Sequence, residues 1–214
     1  MAKTAAFEKH PERYESWFDR HKEAYISELL ALRPFVPLTG RGLEVGVGTG
    51  RFAAPLGIQV GIDPSPAMLA VARKRGIEAD EGVAEALPYP DDSFDHVLVV
   101  TTLCFVDSPA TMFTQIRRVL KPGGIFVIGF IDRDSAMGLD YEARQSDSTF
   151  YQEATFYSAD QVENFLMDAS FSLHARVQTL SQPLALIKEV EPLRLGYGVC
   201  GFAVIEAINE KPGP

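Results

Sequence analysis

Only two cysteines, four histidines and one tryptophan occur in the 214 residues. Cys104 and Cys200 fit no zinc-ligand or disulfide spacing, so reduced thiols are expected. His10, His21, His96 and His174 are scattered, and no cluster of His, Cys and carboxylates announces a metal. His96 opens an apolar run and is expected to find a backbone partner for its ring. An excess of basic charge is also missing: Lys and Arg number 20 against 29 Asp and Glu, a net charge of −9. A phosphate backbone is normally followed by a basic face, so nucleic acid is not the expected partner. No apolar stretch approaches the roughly 18 residues of a membrane span. Met1-Ala2-Lys3-Thr4 opens no apolar signal region. A soluble, cytoplasmic protein is expected. Internal repeats and low-complexity segments are absent as well. Against roughly 150 residues per domain, the length predicts one domain over residues 1–214.

What is present is a change of pattern near residue 40. From Pro11 to Leu32 the aromatic and aliphatic residues Tyr14, Trp17, Phe18, Tyr25, Leu29 and Leu32 recur at helical steps, predicting one helix within a cap over 1–39. Pro34, Pro37 and Gly40 end it. Short apolar runs then alternate with helix-like segments: Gly42–Val47, Ile58–Ile62, His96–Thr101 and Ile125–Ile131. Runs of that kind predict parallel strands buried on both faces over 40–131. Ser65-Pro66 and Ser108-Pro109 each place an N-cap before a proline at the first helical position. Ser158 with Gln161 forms a capping box. Residues 132–157, polar and aromatic, read as a lid or substrate-facing insertion. Over 158–214 a helix is followed by strands, the first alternating Leu173, Ala175 and Val177 with a wetter face of His174, Arg176 and Gln178. Glu210–Pro214 reads as a frayed tail. The expected fold class is α/β: a doubly wound, mostly parallel seven-stranded sheet with an antiparallel strand near one edge and a helical cap.

The chemistry concentrates after the first strand. Gly46, Gly48 and Gly50 remove every Cβ that would hold a ligand away from the backbone, at the carboxyl end of a strand where open α/β sheets bind ligands. Glu44 is a carboxylate inside a strand built for burial, which requires compensation. A ligand ammonium group, amides of the glycine loop or a distant Lys or Arg would each supply it. Gly48-Thr49-Gly50-Arg51-Phe52-Ala53 also fits the G-x-G-x-x-A pattern of nicotinamide enzymes, but the next strand ends at Asp63, earlier than that fingerprint requires. Asp63 can accept both hydroxyls of a ribose, and Ser65 already fills the capping role that would otherwise explain it.

Glu44-Val45-Gly46-Val47-Gly48-Thr49-Gly50 resembles the first motif of the Rossmann-like (class I) S-adenosylmethionine-dependent methyltransferases. Gly61-Ile62-Asp63-Pro64-Ser65 resembles their ribose-binding motif. Glu85-Ala86-Leu87-Pro88-Tyr89 with Ser93-Phe94-Asp95 is similar to the stretch before their fourth strand, and Leu120-Lys121-Pro122-Gly123-Gly124 to the turn into the fifth. Phe156-Tyr157-Ser158 and Asp168-Ala169-Ser170-Phe171 resemble the later helix of the small-molecule, UbiE/Coq5-like branch. The likeness runs in one order from about residue 40 to 172.

The resemblance implies S-adenosylmethionine as cofactor and S-adenosylhomocysteine as product. Gly46, Gly48 and Gly50 would pass under the methionine and ribose, Asp63 with Pro64 would hold the ribose, and Met68 and the Ala84 backbone would face the adenine. Thr101 would lie near the methionine. Val83 stands where the family often has Asp, leaving Glu85 or backbone to reach the adenine amino group. Cys104 and Phe105 replace a frequent His pair. Tyr14 and Trp17 resemble the aromatic lid of some relatives. In the insertion, Tyr141, Arg144 and Tyr151 are candidates to line a substrate pocket, with Arg144 meeting a substrate carboxylate. No catalytic base is nameable. The expected function is methyl transfer to a small-molecule acceptor. Its alternatives are an NAD(P)-dependent oxidoreductase and a non-catalytic S-adenosylmethionine-binding protein. Oligomeric state is left open.

Overall fold

The structure, a computed structural model, describes residues 4–212. Residues 1–3 of the expected N-terminal stretch and residues 213–214 of the expected tail lie outside that range. Eight strands form one sheet in the order β3-β2-β1-β4-β5-β8-β6-β7. They are β1 (Gly42–Val45), β2 (Val60–Asp63), β3 (Glu78–Glu81), β4 (Phe94–Val100), β5 (Leu120–Ile131), β6 (Phe171–Thr179), β7 (Arg194–Leu195) and β8 (Phe202–Asn209). The first five pair in parallel. β8 runs antiparallel between β5 and β6, and β7 is antiparallel to β6.

This is the expected α/β sheet with one more strand than the seven foreseen. The addition is the two-residue edge piece β7, too short to leave a pattern. β3 was also without an apolar run, because an edge strand buries only Ala79 among Glu78, Asp80 and Glu81.

Helices cover both faces. On one side lie α2 (Pro11–Arg20), α3 (Lys22–Leu32), the single turn α4 (Ala53–Leu56) and α5 (Pro66–Lys74). Phe18, Leu32, Leu56 and Leu69 of these helices pack with Val47, Leu98 and Val100. On the other side α6 (Pro109–Val119) and α8 (Ala159–Asp168) set Met112, Phe113, Val162 and Leu166 against Leu43, Val45, Val97 and Val99. Alternate residues of β4 thus feed opposite cores, Leu98 and Val100 one and Val97 and Val99 the other, the mark of a strand covered on both faces. The Ser65, Ser108 and Ser158 side chains cap α5, α6 and α8, the last as a full capping box.

Three local expectations are corrected. The helix foreseen over 11–32 breaks at His21, which takes φ −121° and ψ 45°, so that α2 and α3 follow different axes; a further helix, α1 (Ala5–Lys9), precedes them. Gln178, placed on a wetter face, is buried, with Oε1 accepting the Val199 and Cys200 N–H groups at 3.0 and 2.8 Å. His96 is buried, yet neither ring nitrogen has a hydrogen-bond partner among the described residues. Its ring fills space left by Gly42, where a Cβ would lie 2.3 Å from Nε2. Burial lowers its pKa, which favours a neutral ring.

The chain winds from β1 outward to β3 and returns to β4 on the other side of β1. That reversal opens a crevice at the carboxyl ends of β1 and β4. Two segments close over it. One is α1–α2. The other is the insertion containing α7 (Ala136–Ala143), whose ends meet in a bridge between Asp132 and Tyr157.

Candidate active site

The crevice holds a cavity of about 140 Å³ lined by Gly46, Gly48, Asp63, Pro64, Met68 and Thr101, together with Tyr14 and Trp17 from α2 and Tyr141 and Tyr151 from the insertion. An adjoining cleft of about 320 Å³ shares Gly46 and Pro64 and carries Ala84 and Glu85. Most of the residues singled out from the sequence therefore converge.

Gly46 and Gly48 show why the loop is glycine-rich. Gly46 has φ +74°, and a Cβ there would lie 2.2 Å from Thr102 Oγ1. Gly48 has φ +52°, but a Cβ there would meet nothing closer than 3.5 Å, the nearest atoms being Met68 Cε and the Tyr14 hydroxyl. Gly46 thus serves close packing, whereas Gly48 leaves open space toward the cavity. The Gly48 N–H donates to Asp63 Oδ2 and the Ser65 N–H to Asp63 Oδ1, each at 2.9 Å. These bonds set the carboxylate at the end of β2 and leave acceptor lone pairs on both oxygens. Burial raises its pKa to about 6, the two amides pulling the other way.

Glu44 is buried beneath the loop and does not line the cavity. Burial pushes its carboxyl well above the usual range, opposed by the Ala53 N–H and reinforced by Asp63. A backbone amide just beyond the glycine loop therefore supplies part of the compensation it requires, while Oε2 has no partner among the described residues. Thr101 takes φ +49°, a genuine strain for a β-branched residue, and its N–H donates to Gly129 O at 2.8 Å. It sits at the cavity wall where β4 ends, a setting in which backbone strain points to function.

Besides Glu44, two of the singled-out residues are placed elsewhere. Gly50 faces α5, with the Ile77 and Ala72 side chains nearest to where its Cβ would be, so it is a packing glycine. Arg144 is 75% exposed and pairs with Asp140 one turn back at 2.8 Å; it does not line the cavity. Glu85 is engaged too, with Oε1 accepting the Asp107 and Ser108 N–H groups at 2.7 and 3.1 Å ahead of α6.

The cap is fastened by charge. Glu8 of α1 accepts from Ser65 Oγ at 2.6 Å and Ala67 N–H at 3.1 Å, which holds its carboxyl below the usual range. Glu15 of α2 meets Arg51 at 2.8 Å and Arg75 at 2.5 Å. Burial would raise the Glu15 carboxyl, but hydrogen bonds from Arg75 and Arg51 outweigh it and hold the group below its usual range. Arg51 also stacks over the Phe18 ring, 5.0 Å from its centroid.

The sequence reading missed several cavity residues. Phe7, Thr102 and Phe150 arrive from separate segments, and no local pattern marks them; Phe105, noted only for replacing a frequent His, lines the cavity as well. Glu28 left a signal: it follows Tyr25 by three residues and precedes Leu32 by four, an acid on the apolar stripe of α3.

The residues present suit a nucleoside bearing a sulfonium. Asp63 offers a doubly anchored carboxylate for vicinal hydroxyls, Gly48 admits close approach of a ligand to the backbone, and among the described residues no Lys, Arg or His side chain lines the cavity to oppose a cation. They suit a dinucleotide less well, because the helix that the G-x-G-x-x-A pattern needs is the single turn Ala53–Leu56, closed by Gly57 at φ +79°. Among the described residues, no group of three or more His, Cys, Asp or Glu is arranged to hold a metal ion.

Comparison with known proteins agrees. The family described as methyltransferase domain matches residues 43–128. An uncharacterized protein of Methanocaldococcus jannaschii is 43% identical over 201 residues, covering 94% of this chain and 97% of its own. A Thermotoga maritima crystal structure, described as a SAM-dependent methyltransferase and possible histamine N-methyltransferase, is 42% identical, with a TM-score of 0.93 over 97% of this chain and 99% of that one. The [4+2]-cyclase SpnF is 26% identical, with a TM-score of 0.62 over 88% of this chain and 81% of that one. This chain belongs to the S-adenosylmethionine-dependent methyltransferase family, with the class I fold. The fold implies S-adenosylmethionine as the cofactor.

Proposed function

We propose that the protein transfers a methyl group from S-adenosylmethionine to a small organic acceptor, as a cytoplasmic enzyme of the small-molecule, UbiE/Coq5-like branch. The observation that carries this reading is that Asp63 and Gly48, at the nucleoside end, share one cavity with Tyr141 and Tyr151 of the insertion. A capped cavity of this size suits a small molecule rather than a polymer.

When bound, S-adenosylmethionine supplies a methyl group already activated by the sulfonium, so the protein's task is alignment and exclusion of water. Asp63 and the Gly48 backbone would anchor the nucleoside, with Met68 beside them and Ala84 in the adjoining cleft. Thr101 and Gly46, just past the ends of β4 and β1, line the same cavity and would border the methionine end of the cofactor. Alignment of this kind supplies about 7–11 kcal/mol without an acid or base. α1 and α2 keep water out, and the Glu8 and Glu15 contacts hold them in place.

Calorimetric titration with S-adenosylmethionine, S-adenosylhomocysteine and NADH, on wild type and Asp63→Ala, tests the reading. Micromolar binding of the first two, lost in the variant, is expected. Binding of NADH alone would overturn it. An acceptor screen follows, with histamine included because of the Thermotoga relative. Tight cofactor binding with no acceptor methylated would favour a non-catalytic or differently reacting protein, and SpnF shows that this fold carries other chemistry.

A further inference from the structure

The end of the cavity remote from Asp63 carries an unexplained acid. Glu28 lies on α3, is 3% exposed and lines the cavity wall. Its carboxyl has no hydrogen-bond or ion-pair partner among the described residues. Burial alone raises it to about 8, and nothing opposes the shift. An isolated acid in a packed wall is costly to ionise unless a cation pairs with it.

Its surroundings are aromatic. Burial is the main cause that raises the hydroxyl pKa values of Tyr14, Tyr25, Tyr141 and Tyr151, and the charge of Glu28 adds to it, leading the other charges at Tyr141 on α7 and contributing least at the other three. Tyr141 and Tyr151 meet edge to face, 5.1 Å between centroids at 85°. Ring faces carry negative potential and attract cations. Among the described residues, Glu28 and Asp63 are the charged side chains of the lining, and both are acidic. An anionic acceptor would be repelled there. A neutral one would leave the carboxylate unpaired.

The two acids serve different halves of the cavity. Asp63 ends β2, whereas α3 packs over β5, β6 and β8 and brings Glu28 to the wall beside Ile131, where β5 ends. β1 and β4 lie between β2 and β5, so the separation across the sheet is three strand spacings, about 14 Å.

We propose that Glu28 and the aromatic rings around it form the acceptor subsite, and that the acceptor is a small amine bound as its ammonium ion. This rests on the methyltransferase reading. Before the nitrogen can act as a nucleophile it must shed a proton. Glu28 takes it: the N–H bond breaks, a carboxyl O–H bond forms, and the electron pair stays on nitrogen.

The test uses wild-type protein saturated with S-adenosylhomocysteine. It is titrated with a panel of arylalkyl amines headed by 2-phenylethylamine, each beside the neutral alcohol of the same size. Calorimetry and the fluorescence of Trp17, the single tryptophan and a lining residue, are the readouts. At least one amine is expected to bind tenfold or more tightly than its alcohol. Glu28→Gln is expected to abolish that preference while S-adenosylhomocysteine affinity stays within threefold. Equal binding of every amine and its alcohol, or no binding of either, would overturn the inference and leave the methyltransferase reading intact. Loss of S-adenosylhomocysteine affinity in Glu28→Gln would also overturn it, by assigning Glu28 to the ammonium of the cofactor. Failure of wild type to bind S-adenosylhomocysteine would bring down both readings.

Discussion

The two ends of the cavity are built differently. At the Asp63 end the working groups come from one short stretch, the glycine loop after β1 and the turn after β2, and much of the contact is made by backbone. At the Glu28 end they are side chains from α3, the turn after β4 and the insertion, brought together only by folding, while Tyr14 of α2 reaches across to Gly48. The first arrangement suits a ligand that stays the same across a family; the second can change with each substitution. Backbone geometry is indifferent to most side-chain changes, whereas an aromatic wall is made of them.

The comparison is sharpest at Gly46. Gly46→Ala adds a Cβ at positive φ and against Thr102, so a loss of about 2–4 kcal/mol is expected from strain and overpacking combined, read by chemical denaturation. Gly48→Ala has the same backbone penalty but open space, so about 1 kcal/mol of stability and a larger loss of S-adenosylhomocysteine affinity are expected. Equal stability losses at the two positions would erase the distinction between packing glycine and ligand-facing glycine.

At the other end, Glu28→Gln tests whether the buried acid strains the ligand-free fold. The folded-state pKa of Glu28, about 8, lies above that of the unfolded chain. Proton binding therefore favours the folded state at low pH, and that contribution fades as pH rises from about 4.5 to 8, by at most about 1.4 kcal/mol per pH unit. The variant lacks this dependence. Its melting temperature is expected to match wild type near pH 5 and to exceed it progressively toward pH 8. A pH-independent difference would mean that the carboxyl is compensated.

A smaller effect is expected from Glu15→Ala, which frees Arg51 and Arg75 from the cap. The partners are a fifth to a quarter exposed, so only about 1 kcal/mol is expected, with faster amide exchange confined to α1 and α2. Exchange rising evenly over the sheet would show that the cap is no separate unit. Arg144→Ala is expected to change neither melting temperature nor acceptor binding, because an exposed i,i+4 pair contributes roughly 0.3–0.5 kcal/mol at most. A clear loss of acceptor binding would return Arg144 to the pocket.

What was legible in the sequence follows the same division. Central strands announce themselves because burial on both faces demands continuous apolar runs, and Ser65, Ser108 and Ser158 announce helix starts because capping is local. β3 and β7 were unreadable as strands because an edge needs little burial. The break at His21 has no proline or glycine to mark it. Arg144 was misplaced because sequence spacing does not say which way a side chain at a helix end will reach; its partner Asp140 was the better clue.

By itself, then, the sequence announced an α/β sheet, its capped helices and a glycine-rich turn after the first strand, because apolar runs, caps and glycine spacing are local patterns. Which aromatic rings face one another across the crevice, and that Glu28 stands among them, only the tertiary structure decided. Tyr141 and Tyr151 stand more than 100 residues along the chain from Glu28 and Tyr14, and the energy that unites them is nondirectional burial rather than any local code.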